Sequence, residues 1–179
     1  MIDKEIGTIV AQIKKPKHVY NDILLRKYIA SNQELFEKTH AVKCVQMRIG
    51  TLWQRIFGYI PGVVDLQVGH PSGLDLLTND TFRHGKHIIE LKNAYNTDNA
   101  SSRRQNLTKL SRFTKDHPEY TPIYAVINDT HSKDFTIHHE GIDIRYISKH
   151  VLFEFMFGDI QYTNLISYIS ERIYASLSI

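Results

Sequence analysis

The chain has a single cysteine, Cys44, so no disulfide can form within it, and a reducing compartment is expected. It also lacks any apolar run approaching the ~18 residues that a membrane-spanning helix needs. Its start, Met-Ile-Asp-Lys-Glu, does not have the pattern of a secretion signal. These absences predict a soluble, intracellular (cytoplasmic) protein with no membrane partner. Charge of one sign is lacking too: 22 basic against 19 acidic residues give a net +3. That total neither demands nor excludes a nucleic-acid partner, so the distribution of charge matters more than its sum. Ten histidines occur without a convergent spacing. His138 and His139 are neighbours that would face opposite ways on a strand, so no zinc site is expected. Neither a repeat nor a low-complexity linker divides the 179 residues, the size of one domain able to bury a core.

What the sequence does have is the run His87-Ile-Ile-Glu-Leu-Lys-Asn93. Read as a strand, it puts Glu90 and Lys92 on one face and Ile89 and Leu91 on the other. An acid and a base inside an apolar run are costly to bury unless something pairs with them, which makes this stretch a candidate site. Upstream lies Gly73-Leu-Asp-Leu-Leu77. An antiparallel pairing with Asp75 opposite Glu90 also sets Leu77 against Ile88 and Asn79 against Lys86. It leaves a six-residue loop, Asp80 to Gly85, with turn chemistry at both ends. Opposite side chains on a hairpin are about 5 Å apart at Cβ, close enough for two carboxylates to share a divalent ion. The plain alternative is a surface hairpin whose Glu and Lys are solvated charges.

At Asp75, Glu90 and Lys92 the chain resembles the PD-(D/E)xK nuclease superfamily and, within it, the small type II restriction endonucleases. The acid and the Glu-x-Lys lie fifteen residues apart, a spacing compatible with a hairpin. The proline of the motif is not in front of Asp75; Gly73-Leu74 stands there. The run Asn93 to Asn99 is also similar to one that follows Glu-Leu-Lys in some restriction enzymes, and the resemblance covers residues 50 to 128. It implies that Asp75 and Glu90, with the backbone carbonyl of Leu91, hold Mg2+, for which Mn2+ can substitute. It further implies that Lys92 activates water and that a glutamine from a preceding helix, Gln54 or Gln46, is an accessory to the site. Asp65 is the rival acid, but no Glu-x-Lys pairs with it across a short hairpin.

The rest of the chain fits around these residues. Residues 1–58 read as helical, with Val42, Val45, Ile49, Leu52, Trp53 and Ile56 forming one apolar face that ends at Gly58. Lys14-Lys-Pro-Lys17 reads as a turn. Val63 to Val68 reads as a first strand. Residues 62–147 would carry the sheet and a basic helix, and residues 148–179 the C-terminal helices, all in one domain. Between Lys86 and Lys115 seven bases face only Glu90 and Asp98. Ser102 and Gln105 have capping-box spacing, and Leu107, Leu110 and Phe113 make an inward stripe, so a helix of about four turns should end before Pro118. Its N-terminus carries Arg103 and Arg104, suited to phosphate. Asn93, Asn96, Asn99, Ser101, Ser102 and Lys109 are further DNA-binding candidates. Pro122 to Ile127 reads as a buried central strand, and Phe135–His138 and Ile142–Ile147 as a pair around Glu140-Gly141.

The expected fold is therefore α/β, a mixed central sheet flanked by helices, with the restriction-endonuclease-like core that the resemblance implies. The expected function is a magnesium-dependent endonuclease acting on double-stranded DNA. A Holliday-junction resolvase, a repair nuclease or a non-catalytic nucleic-acid-binding protein are the alternatives. The resemblance also implies a homodimer cutting a symmetric sequence, its interface built from the N-terminal segment or from Phe153–Phe157 with the Leu165, Ile166, Ile169, Ile173 and Leu177 stripe.

Overall fold

The structure, a computed structural model, describes residues 2–13, 47–94, 99–158 and 162–177. Its elements are α1 (Ile2–Ile13), α2 (47–58), β1 (Val63–Asp65), β2 (Leu76–Thr78), β3 (His87–Ala94), α3 (Ala100–Asp116), β4 (Thr121–Asn128), β5 (Asp134–His139), β6 (Ile142–Ser148), α4 (Lys149–Phe157) and α5 (Tyr162–Leu177). Val42, Val45, Gln46, Asn96 and the Lys14–Lys17 turn lie outside the described residues.

Six strands form one mixed sheet in the order β1-β2-β3-β4-β6-β5. β3, β4 and β6 run parallel, while β1, β2 and β5 pair antiparallel with their neighbours. The centre follows from composition: Pro122 to Ile127 is buried throughout, as a parallel strand covered on both faces must be. Pro122, which lacks an N–H, is tolerated because it stands at the strand's beginning. The β5–β6 turn uses Glu140 and Gly141, at φ 50° and 80°, the positive pair that a tight two-residue hairpin requires.

Alternation along the strands divides the interior in two. Ile89, Leu91, Ile123, Ala125, Ile127 and Ile147 meet α1, α2, α4 and α5 through Trp53, Phe57, Phe153 and their neighbours. On the other face Ile88, Tyr124, Val126, Ile144 and Tyr146 meet Leu107 and Leu110 of α3. Full burial of one such side chain stabilises by about 1.5–3 kcal/mol. Glu90 and Lys92 share the parity of Ile88, so they emerge beneath α3.

Several sequence expectations change. The first strand stops at Asp65, not Val68, because the Asp65 carboxylate accepts the Gln67 N–H at 2.8 Å and turns the chain, with Gln67 at φ 63°. Gly73, at φ 64°, likewise cannot extend β2 backward, and that strand begins only at Leu76. α3 starts at Ala100, not after Ser102: its cap is Asn99, whose side chain accepts the Ser102 N–H at 2.8 Å. Asparagine is among the strongest caps, and it outcompetes the serine three residues on. The helix does end before Pro118. Phe153 and Phe155 are buried in the chain's own core, so that stretch is not free to form an interface. In α5, Ile169 is buried with Leu165 and Ile166 packed beside it; the side chains of Ile173 and Leu177 lie outside what is described.

Candidate active site

The β2–β3 register is the predicted one. Leu76 pairs with Ile89 and Leu77 with Ile88, and Asp75, one residue before the strand, keeps the ladder through its N–H to the Ile89 carbonyl at 3.2 Å. Its side chain turns toward β3, where one carboxylate oxygen accepts the Leu91 N–H at 2.7 Å. Glu90 is only 3% exposed. Lys92, two residues along the same face, donates to Glu90 Oε1 at 2.6 Å. The second oxygen, Oε2, is buried and has no hydrogen-bond partner among the described residues. Asp75, Glu90 and Lys92 are thus brought together as the sequence predicted.

The electrostatics are those of a site under tension. Burial, then the nearby Asp75 charge, push the Glu90 pKa up from 4.5 to about 7. The Lys92 ammonium pulls it down without overcoming those two effects. Asp75 also titrates above its ordinary range, chiefly because it is buried, although the Leu91 N–H, Lys92 and Lys109 all favour its charged form. Two neighbouring acids, one half-buried and the other buried with an orphaned oxygen, suit a cation: a divalent ion would cancel their repulsion and give Oε2 a partner.

Gln54 is buried and braces this arrangement from α2. Its amide donates to the Asp65 carboxylate at 2.8 Å and to the Asp75 backbone carbonyl at 3.1 Å. It therefore reaches the backbone of Asp75 itself, while Asp65, the rival acid, is engaged by Gln54 and Gln67.

Of the DNA-binding candidates, Asn99 is the cap of α3 and Ser102 supplies the N–H it accepts. Ser101 and Arg104 sit on the first turns of that helix, on its solvent side. Asn93 accepts from Asn128 at 3.1 Å. Arg103 lies over the rings of Tyr124 and Tyr146, 5.9 and 5.7 Å from their centroids. Those rings continue a single row across the sheet from Glu90, since Glu90 is in register with Tyr124, Tyr124 with Tyr146, and Tyr146 with Phe135. Lys109 does not point away from the sheet: it bonds the Gly73 carbonyl at 3.2 Å and Asn106 at 3.3 Å. Sequence reasoning missed Tyr124, Tyr146 and Asn106. Strand parity could have found the tyrosines, both on the face of Glu90, whereas nothing local marks Asn106. It also missed Asp129. Burial raises the pKa of that acid, but the Tyr146 hydroxyl, Lys133 and Thr130 outweigh it, and the value falls to about 2.

Among the described residues no helix is long and apolar enough to cross a membrane. The family model for the Eco47II restriction endonuclease matches residues 17–171 of the chain. No curated protein matches it.

Proposed function

The chain belongs to the Eco47II restriction endonuclease family and is a DNA endonuclease; from that premise we propose that it is a magnesium-dependent, sequence-specific type II enzyme whose catalytic residues are Asp75, Glu90 and Lys92. The observation that carries the reading is the orphaned, buried Oε2 of Glu90 beside a second, half-buried acid. Asp75, Glu90 and the Leu91 carbonyl are the groups that would hold Mg2+ or Mn2+. A divalent ion bound there supplies Lewis acidity, polarising the scissile phosphate and offsetting charge that develops in the transition state.

The residues do the rest. The Leu91 N–H fixes the Asp75 carboxylate, and Gln54 fixes the backbone behind it. Glu90 must be ionised to serve, and its raised pKa places that ionisation near neutrality. Lys92, held by Glu90 Oε1, orients the attacking water by hydrogen bonding and favours its loss of a proton. Arg103 and Arg104, with Asn93, Asn96, Ser101 and Lys109, contact the duplex. One Asp-Glu-Lys set cuts one strand, so paired cuts at a symmetric sequence call for a homodimer about a two-fold axis.

The test is incubation of a long duplex with the protein in Mg2+ or in chelator, followed by sequencing of the ends. Fixed ends that need Mg2+ are expected. Ends confined to branched structures would replace restriction by junction resolution, and no ends in either buffer would refute cleavage. Light scattering of the complex reads the assembly: one subunit per duplex, with only nicked plasmid, would sink the homodimer.

A further inference from the structure

Lys109 is exposed, but its side chain is held at two points. Its stem crosses Gly73 so closely that a Cβ there would lie 3.3 Å from Lys109 Cε, and Gly73 holds φ 64°, a conformation glycine adopts readily. The ammonium bonds two neutral acceptors, the Gly73 carbonyl and the side-chain oxygen of Asn106, an amide only 6% exposed one turn back on α3. Among the described residues no carboxylate pairs with it, and the carbonyl that it bonds lies two residues before Asp75. It therefore stands next to the segment that carries Asp75 and bonds neither acid.

We propose that Lys109 is a second lysine of the catalytic centre, which contacts the DNA phosphate adjoining the scissile one and is held ready by Gly73 and Asn106. An ammonium has three N–H donors; two acceptors occupy two of them, and the third is available to an anion. Bonded to the backbone two residues before Asp75 and to neither acid, Lys109 is placed for the phosphate next to the one that the acids would hold. Neutral acceptors fix its position without cancelling its charge, so the full charge meets the DNA. Gly73 lies two residues before Asp75, next to Leu74, which stands where the motif has its proline, and the missing side chain of Gly73 makes room for the lysine.

The inference rests on the nuclease reading, and the experiment separates the two. With the cut site mapped on wild-type protein, single-turnover cleavage is measured at saturating duplex and Mg2+ for wild type, Lys109→Met and Lys109→Arg. Single methylphosphonates are then placed in turn at the phosphates beside the cut. Lys109→Met should cut roughly 10²-fold more slowly, as when one preorganised donor is lost from a transition state, and Lys109→Arg should recover part of that. One methylphosphonate should slow wild type by a similar factor and slow Lys109→Met no further. Factors that multiply at every position, or a Lys109→Met that cuts at the wild-type rate, overturn the proposal. Should Lys109→Met fail to fold, Lys109→Gln carries the same comparison. A wild type that cuts nothing overturns the nuclease reading, and this inference with it; a wild type that cuts beside an unaffected Lys109 variant overturns this inference alone.

Discussion

Glu90→Gln is expected to abolish cleavage while making the metal-free protein more stable at alkaline pH. Glutamine has the shape of the protonated acid, so the variant measures what it costs the fold to hold Glu90 ionised. The folded pKa is about 7 and the ordinary value 4.5. Between them the folded state keeps a proton that the unfolded state has released, so stability falls as pH rises through this window. Below 4.5 both states are protonated and the penalty is absent; above 7 it is complete. At about 1.4 kcal/mol per pH unit, the gap is worth about 3.5 kcal/mol. Roughly 1.4 kcal/mol of it is already present at pH 5.5 and nearly all at pH 8, leaving about 2 kcal/mol between the two conditions.

For a chain of this size 1 kcal/mol moves the melting temperature by about 2–4 °C. Relative to wild type, Glu90→Gln in chelator should therefore melt about 4–8 °C higher at pH 8 than it does at pH 5.5. Differential scanning calorimetry at the two pH values measures this directly. Added Mg2+ should raise the wild-type melting temperature, because a ligand that binds only the folded state stabilises it, and should do little for the variant. A variant that melts below wild type at pH 8 would mean that the 2.6 Å bond from Lys92 outweighs burial and the Asp75 charge. An increment equal at both pH values would also refute the reasoning.

Asp75→Ala and Lys92→Ala should each lose cleavage by orders of magnitude in a plasmid assay, and Asp75→Ala should bind duplex in chelator no more weakly than wild type, since a carboxylate near phosphate is gone. Arg103→Ala with Arg104→Ala should weaken binding and lower the salt slope by about one for each phosphate no longer held; an unchanged slope in a salt titration would leave Arg103 only its packing role over Tyr124 and Tyr146. Asn99→Ala removes the cap of α3 and should cost about 1 kcal/mol, read as a drop in denaturant midpoint that Asn99→Ser largely avoids.

The hairpin that carries Glu90 and Lys92 was legible because its information is local. Alternation places Glu90 and Lys92 on one face, and the turn between Asn79 and Gly85 fixes a single register, so the pairing Leu77 with Ile88 could be read before any fold was known. The central strand was legible for a similar reason, an unbroken apolar run. What failed were boundaries decided by side chains competing for backbone groups: Asp65 takes the Gln67 N–H and ends β1, and Asn99 starts α3 ahead of Ser102. The bonds from Lys109 to Gly73 and from Gln54 to the Asp75 backbone join residues far apart in sequence, and no spacing encodes them. The buried aromatic stretch of α4 was ambiguous because a sequence cannot say whether an apolar face meets its own core or another chain.

α3 ties these separate interactions into one device. Its first turns present Arg103 and Arg104; one turn on, Asn106 holds Lys109, which bonds the Gly73 carbonyl two residues before Asp75. The helix is anchored from below by Leu107 and Leu110, and at its start by a cap and by Arg103 over the tyrosine row in register with Glu90. Residues on one rigid helix hold fixed separations, so a duplex seated on the arginines meets Lys109 at a set distance along its backbone. Loosening the cap should then slow cleavage more than it weakens binding, because long basic side chains follow a phosphate through small shifts while a transition state does not tolerate them. An Asn99→Ala variant whose saturating cleavage rate matches wild type, at a temperature where it is fully folded, would separate grip from chemistry and leave α3 as a binding element alone.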